Sequence, residues 1–93
     1  MDKLSDTARE TLQEFQKFLV ERKLVPEKRV PFFAYWVSRF LSFAKRRDLS
    51  AAEYQEALIL EFLDGLQSDT RVLEWQSRQA NEAIRLYYFH YLS

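Results

Sequence analysis

Residues 29–47 read RVPFFAYWVSRFLSFAKRR. Phe32, Phe33, Tyr35, Trp36 and Phe40 fall within its first twelve residues, Phe43 follows, and basic residues close both ends. Phe33, Trp36, Val37, Phe40, Leu41 and Ala44 recur with the period of a helix and make one broad apolar stripe. Ser38, Arg39, Ser42, Lys45 and Arg46 fall mostly off it. Pro31 suits a first helical turn, where its missing N–H has no partner to lose. Lys45, Arg46 and Arg47 stand at the end where the helix dipole favours cations. Two readings follow for this helix: a core element with a charged rim, or one that lies on something negative.

The flanking sequence predicts three more helices. Ala8, Leu12, Phe15 and Leu19 are spaced for a helix from about Asp6 to Arg22, capped by Ser5 or Asp6. The stretch KLVPEKR ends it, because Pro26 disfavours helical geometry at Val25. Ser50-Ala51-Ala52-Glu53 has the form of a capping box. It opens a third helix with Tyr54, Leu58, Phe62 and Leu66 as its stripe, Ile59 and Leu63 beside it, and Gly65 as a C-cap. A fourth helix is expected from Thr70 or Arg71 to the chain end, with Leu73, Ala80, Ala83, Ile84, Tyr87, Tyr88 and Tyr91 in phase. Arg71, Arg78 and Arg85 recur every seventh residue and stay within about 40° of one another on an ideal helix. Glu74 and Glu82 flank Arg78 at four residues, so part of that stripe pairs within the helix.

Composition supports an all-α fold. The chain has 93 residues, 47% apolar and 16% aromatic, with one Gly and two Pro. So few turn residues do not serve a strand-rich fold. The length suits one small domain spanning residues 1–93. With no cysteine there is no disulfide and no thiolate metal site, which is compatible with a cytoplasmic location. The first residues do not read as a signal peptide, and no run of about 18 apolar residues is present to span a bilayer.

Formal net charge is zero, yet the charges are segregated. Between Arg22 and Arg47 the basic residues Arg22, Lys23, Lys28, Arg29, Arg39, Lys45, Arg46 and Arg47 meet only Glu27, whereas Asp48 to Thr70 holds six acids and no base. Net neutrality therefore does not exclude a polyanion partner. Mutual neutralisation of the two segments is the alternative.

Catalytic machinery is not apparent. His90 is the lone histidine and lacks Asp, Glu or Cys neighbours in sequence. No Gly-rich phosphate loop is present. The acids of the third helix read as a solvated face, and Tyr87, Tyr88 and Tyr91 as core or interface residues. Binding remains. EWQSRQANEAIR carries Gln76, Ser77, Arg78, Gln79, Asn81 and Arg85, a mixture able to meet phosphates and base edges, as any exposed helix face also can.

EKRVPFFAYWVSRFLSF resembles the helix that opens the DNA-binding half of integron-type integrases, in the tyrosine recombinase family. Trp36-Val37-Ser38-Arg39-Phe40 matches the family's Trp-Val-x-x-Phe. EFLDGLQSD is similar to its Glu-x-Phe-Leu-x-x-Leu segment. QSRQANEAIRLYYFHYL resembles in register its last helix, with Gln79-Ala80, Ala83-Ile84 and Tyr88 in matching places. The resemblance runs from about Leu12 to Leu92. It implies a compact four-helix SAM-like orthogonal bundle, the N-terminal core-binding domain, which forms a clamp around DNA with a downstream catalytic domain of the same parent protein. Arg29-Val30-Pro31 replaces the family's Thr before the second helix, leaving Lys28 and Arg29 to act electrostatically. Gln76-Ser77-Arg78-Gln79 replaces part of a Thr-Gln-Asn-Gln run, and Trp75 is bulkier than the family pattern.

The family's catalytic residues lie downstream of this region, so the resemblance implies a chain without catalysis, ending where a linker begins, either excised or naturally truncated. No cofactor, metal or membrane is expected, and multimers are expected only on DNA. The partner expected is double-stranded DNA. Lys28, Arg29 and Arg39 are assigned to phosphates, Gln76, Arg78 and Gln79 to the major groove, and Arg71 and Arg85 to its flanks. The alternative function is a non-enzymatic helical protein–protein interaction domain using Trp75, Tyr87 and Phe89, or an acidic third helix that docks a basic partner.

Overall fold

The computed structural model of the chain describes residues 6–49 and 53–92. Four α-helices make up the bundle: α1 (Asp6–Glu21), α2 (Val30–Arg46), α3 (Glu56–Ser68) and α4 (Glu74–Leu86). A 3-10 turn over Glu27–Arg29 leads into α2, and a π turn over Tyr87–Tyr91 follows α4. Among the described residues there is no strand. The radius of gyration, 12.7 Å, matches the roughly 12 Å expected of a compact chain this long.

The aromatic run of α2 divides by helical phase. Phe33, Trp36, Val37 and Phe40 are buried, whereas Phe32 and Tyr35 remain 57% and 51% exposed. Phe40 meets Phe62 of α3 and Tyr88 edge-on, with ring centroids 5.5 and 6.0 Å apart. Such T-shaped pairs align the positive ring edge with the negative ring face. On α4 the buried positions are small, Ser77, Ala80 and Ala83 with Ile84. That allows α4 its extensive contact with α2. The π turn buries both Tyr87 and Tyr88, and Phe15 of α1 packs edge-on against Tyr87 and Tyr91 at 5.5 and 5.6 Å. Tyr87, expected on a partner surface, is therefore core.

Three boundaries differ from the sequence expectation. Ser5 and Ser50–Ala52, two expected capping elements, lie outside the described residues. Tyr54 and Gln55 lie outside α3, Gln55 with extended backbone (φ −138°, ψ 105°), so that helix starts at Glu56. Gly65 is not a C-cap: α3 runs on through it to Ser68. Arg71 and Leu73 precede α4 because the Asp69 carboxylate accepts the Arg71 backbone N–H at 2.9 Å, an Asx turn that competes with helix. α4 then begins at Glu74, with the Leu73 N–H donated to Gln76 Oε1 at 2.8 Å as the reciprocal half of a capping box.

The first two helices stop without glycine. Lys23 (φ 54°) and Asp48 (φ 58°) take the left-handed conformation. The Leu24 N–H bonds to Leu19 O and the Leu49 N–H to Ala44 O, each closing a Schellman motif. A left-handed residue with a β-carbon is strained by about 1–2 kcal/mol.

Two substitution sets test this account. Phe40→Ala should lower the unfolding free energy by about 3–5 kcal/mol in urea, while Phe32→Ala should change it by no more than about 0.5 kcal/mol. Lys23→Gly relieves the left-handed strain. Gly65→Ala adds a methyl with nothing within 4 Å of it in a helix interior. Each should stabilise the fold by about 0.5–1 kcal/mol, and together additively, read as a rise in the urea midpoint.

Candidate nucleic-acid interface

The starts of α2 and α4 lie side by side. Arg29 and Phe32 from one, and Trp75 and Gln79 from the other, line a cleft of about 430 Å³. Trp36, buried beneath it, donates its indole N–H to Gln79 Oε1 at 2.9 Å and ties the two helices together. Phe32 and Trp75 stay about half exposed, so the cleft has aromatic walls open to solvent.

The expected site residues divide by what holds them. Lys28 and Arg29 are exposed in the 3-10 turn, and among the described residues neither has an acidic partner within ion-pair distance. Arg39 is half-buried, its guanidinium 5.6 Å from the Trp36 ring and 5.8 Å from that of Tyr35, with Nη1 donating to Tyr35 Oη at 3.3 Å. Arg71 grips Asp69 through Nε and Nη2 at 3.1 and 3.0 Å, yet its side chain is 89% exposed. That grip, with a smaller contribution from Arg39, holds the Asp69 carboxyl below its usual range. Arg78 pairs with Glu74 at 3.1 Å one turn away and is 68% exposed. Gln76 is committed to the cap of α4.

Arg85 behaves differently. Its Nε donates to Asn81 at 2.9 Å, and its two terminal nitrogens hold Glu56 at 2.7 and 3.2 Å. Tyr54 Oη accepts from Arg85 at 3.0 Å and donates to Glu56. The Arg85 hydrogen bond, then that from Tyr54, pull the Glu56 carboxyl from 4.5 down to about 2. The same bond to Glu56 raises the Tyr54 hydroxyl, so it stays protonated. Arg85 is thus a staple between α4 and the start of α3, away from the Arg29–Gln79 cleft.

Charge segregation is only partly cancelled. Arg47 lies over Phe43 at 4.6 Å and pairs with Glu61, which bridges the basic end of α2 to acidic α3. At the other end of α2, Lys28 and Arg29 have no such bridge among the described residues. Sequence reasoning missed Phe32, Trp75 and Trp36 as parts of the cleft. Phe32 lies off the stripe of α2, and an apolar side chain off-stripe signals exposure. The Arg85–Glu56 and Trp36–Gln79 partnerships span 29 and 43 residues and leave no local trace.

Among the described residues no group of three or more His, Cys, Asp or Glu could hold a metal ion, and no helix is long and apolar enough to cross a membrane. No protein-family model, curated protein or solved structure matches the chain.

The staple fixes a pH dependence. Glu56 binds its proton less readily folded than unfolded, so its contribution is complete above about pH 4.5 and is lost as pH falls towards 2. Glu56→Gln should be less stable than the parent at pH 7, and the gap should narrow through that window, followed by urea unfolding at successive pH values. A gap independent of pH is incompatible with the ion pair as its source.

Proposed function

We propose that this chain binds double-stranded DNA along the edge where α2 and α4 begin, as the non-catalytic clamp half of a site-specific tyrosine recombinase. One observation carries the reading: Arg29, which has no acidic partner among the described residues, lines a cleft with Gln79, and exposed Lys28 is its neighbour in the 3-10 turn. Along this edge Lys28, Arg29, Arg39, Arg71 and Arg78 outnumber Glu27, Asp69 and Glu74. The Arg71 and Arg78 ion pairs are solvent-exposed, and exposed pairs are held weakly enough to be exchanged for phosphate. Two helix N-termini also point partial positive charge toward this side. The resemblance to integron-type integrases adds the same two segments as the DNA-facing ones. Phosphates position such a domain, while Gln79 and Arg78 approach base edges.

Within this reading Arg85 contributes to the fold of the bundle and not to contact. Half a clamp binds weakly, with an affinity of order micromolar or poorer, near the non-specific range. A second reading, a helical protein-interaction domain, draws on the exposed rings of Phe32, Trp75 and Phe89.

The test is an NMR titration of the labelled chain with a short duplex at low and high salt. Shifts at residues 28–39 and 71–79 that fade with salt are expected. Lys28→Ala should reduce the slope of log affinity against log salt by about 1, whatever the duplex sequence. An unshifted spectrum at low salt with the fold intact sinks the DNA reading for this chain and leaves the protein-interaction one.

A further inference from the structure

The charges of this chain sum to zero but stay segregated, and the cross-element pairs Arg47–Glu61 and Arg85–Glu56 cancel only part of that. The remainder lies on two faces. At the start of α2, Arg29 lines the cleft with Phe32 and Trp75, and no carboxylate lines it. Lys28 is exposed next to Arg29, and neither cation has an acidic partner among the described residues. On the outer side of α3, Ala57, Leu60, Glu61 and Asp64 are all exposed. Steps of three and four residues put them on one face of the helix. Leu60 is 48% exposed, and Asp64 is in no ion pair among the described residues. From Asp48 to Thr70 there is no base.

The two faces complement each other. One sets a cation beside two half-exposed rings, and the other sets a leucine beside carboxylates. An apolar centre with a charged rim is the make-up of a protein interface. The bundle keeps the faces apart within one chain. Glu61 is fastened to Arg47, and α2 separates Arg47 from Arg29 by 17 residues, about 25 Å of helix. We infer that the occupant of the cleft is a second copy of this chain: Leu60 of one copy seats against Phe32 and Trp75 of the next, with Asp64 facing Arg29 and Lys28. The faces differ, so the contact is head-to-tail, and each added copy leaves one cleft and one α3 face free unless a ring closes. No step of this association needs DNA.

The experiment is sedimentation equilibrium of the chain without nucleic acid, from about 10 µM to 1 mM, at low and high salt. At low salt the apparent mass should rise above 11.2 kDa with concentration, and it should fall back at high salt. Trp75 emission should shift to the blue as its ring is covered, whereas Trp36 is already buried. Arg29→Glu and Asp64→Arg change exposed side chains, and circular dichroism checks that each variant folds. Each alone should stay monomeric. An equimolar mixture of the two should associate again, because the first keeps the native α3 face and the second the native cleft. Leu60→Ser should weaken association about tenfold. A parent chain that stays monomeric throughout at low salt overturns the inference and leaves the cleft to an outside partner. Association that survives either charge reversal, or a mixture of the two variants that stays monomeric, overturns it as well.

Discussion

Large side chains on α2 and small ones on α4 set the spacing on which this bundle depends. The buried face of α2 carries Trp36, Val37 and Phe40, while α4, with which it makes extensive contact, buries Ser77, Ala80 and Ala83. Small residues let the backbones approach, and close approach brings Trp36 within hydrogen-bonding distance of Gln79. Phe40 carries the packing onward to Phe62 and Tyr88, and the tyrosines of the π turn carry it back to Phe15 of α1. A wider side chain at Ala80 or Ala83 would push the helices apart and with them the two halves of the cleft. Packing and site are consequences of the same spacing.

The charges follow a second logic. Where a base meets an acid across elements, as in Arg85–Glu56 and Arg47–Glu61, the pair fastens α3 to its neighbours. Where pairing is local, as in Arg71–Asp69 and Arg78–Glu74, the guanidinium remains mostly in water and adds little to the fold. Position in the fold, and not residue type, separates an arginine that holds the bundle from one available to a partner. The seven-residue recurrence of Arg71, Arg78 and Arg85 hides this, since the first two stay in water and only Arg85 is built into the bundle.

Much of the fold was legible because helical period is a local property. The stripes of α1, α2 and α3 predict Leu12, Phe15, Phe33, Trp36, Phe40, Leu58 and Phe62 as core, and all are buried. The helix ends were less legible. Lys23 and Asp48 adopt a left-handed conformation that the sequence does not announce, and the one glycine lies inside α3, where it has no turn to make. Asp69 captures the Arg71 N–H and delays α4, a choice between local hydrogen bonds that propensity alone does not decide. Of the candidate site, the proximity of the starts of α2 and α4 follows from packing, and no sequence pattern within either helix reports it.

The opening stretch divides between core and solvent along the length of α2. On one side of α2 the rings are core. On the other, Phe32 and Tyr35 stand in solvent beside Arg29 and Arg39, with Trp36 between the two environments. A chain of 93 residues has little interior, so a residue such as Trp36 serves packing with its ring and the surface with its N–H. Division of labour within one side chain has a consequence for any binding at this edge. The hydrogen bond from Trp36 fixes which way the Gln79 amide faces, so that surface side chain is oriented from below, by a ring that is itself only 5% exposed.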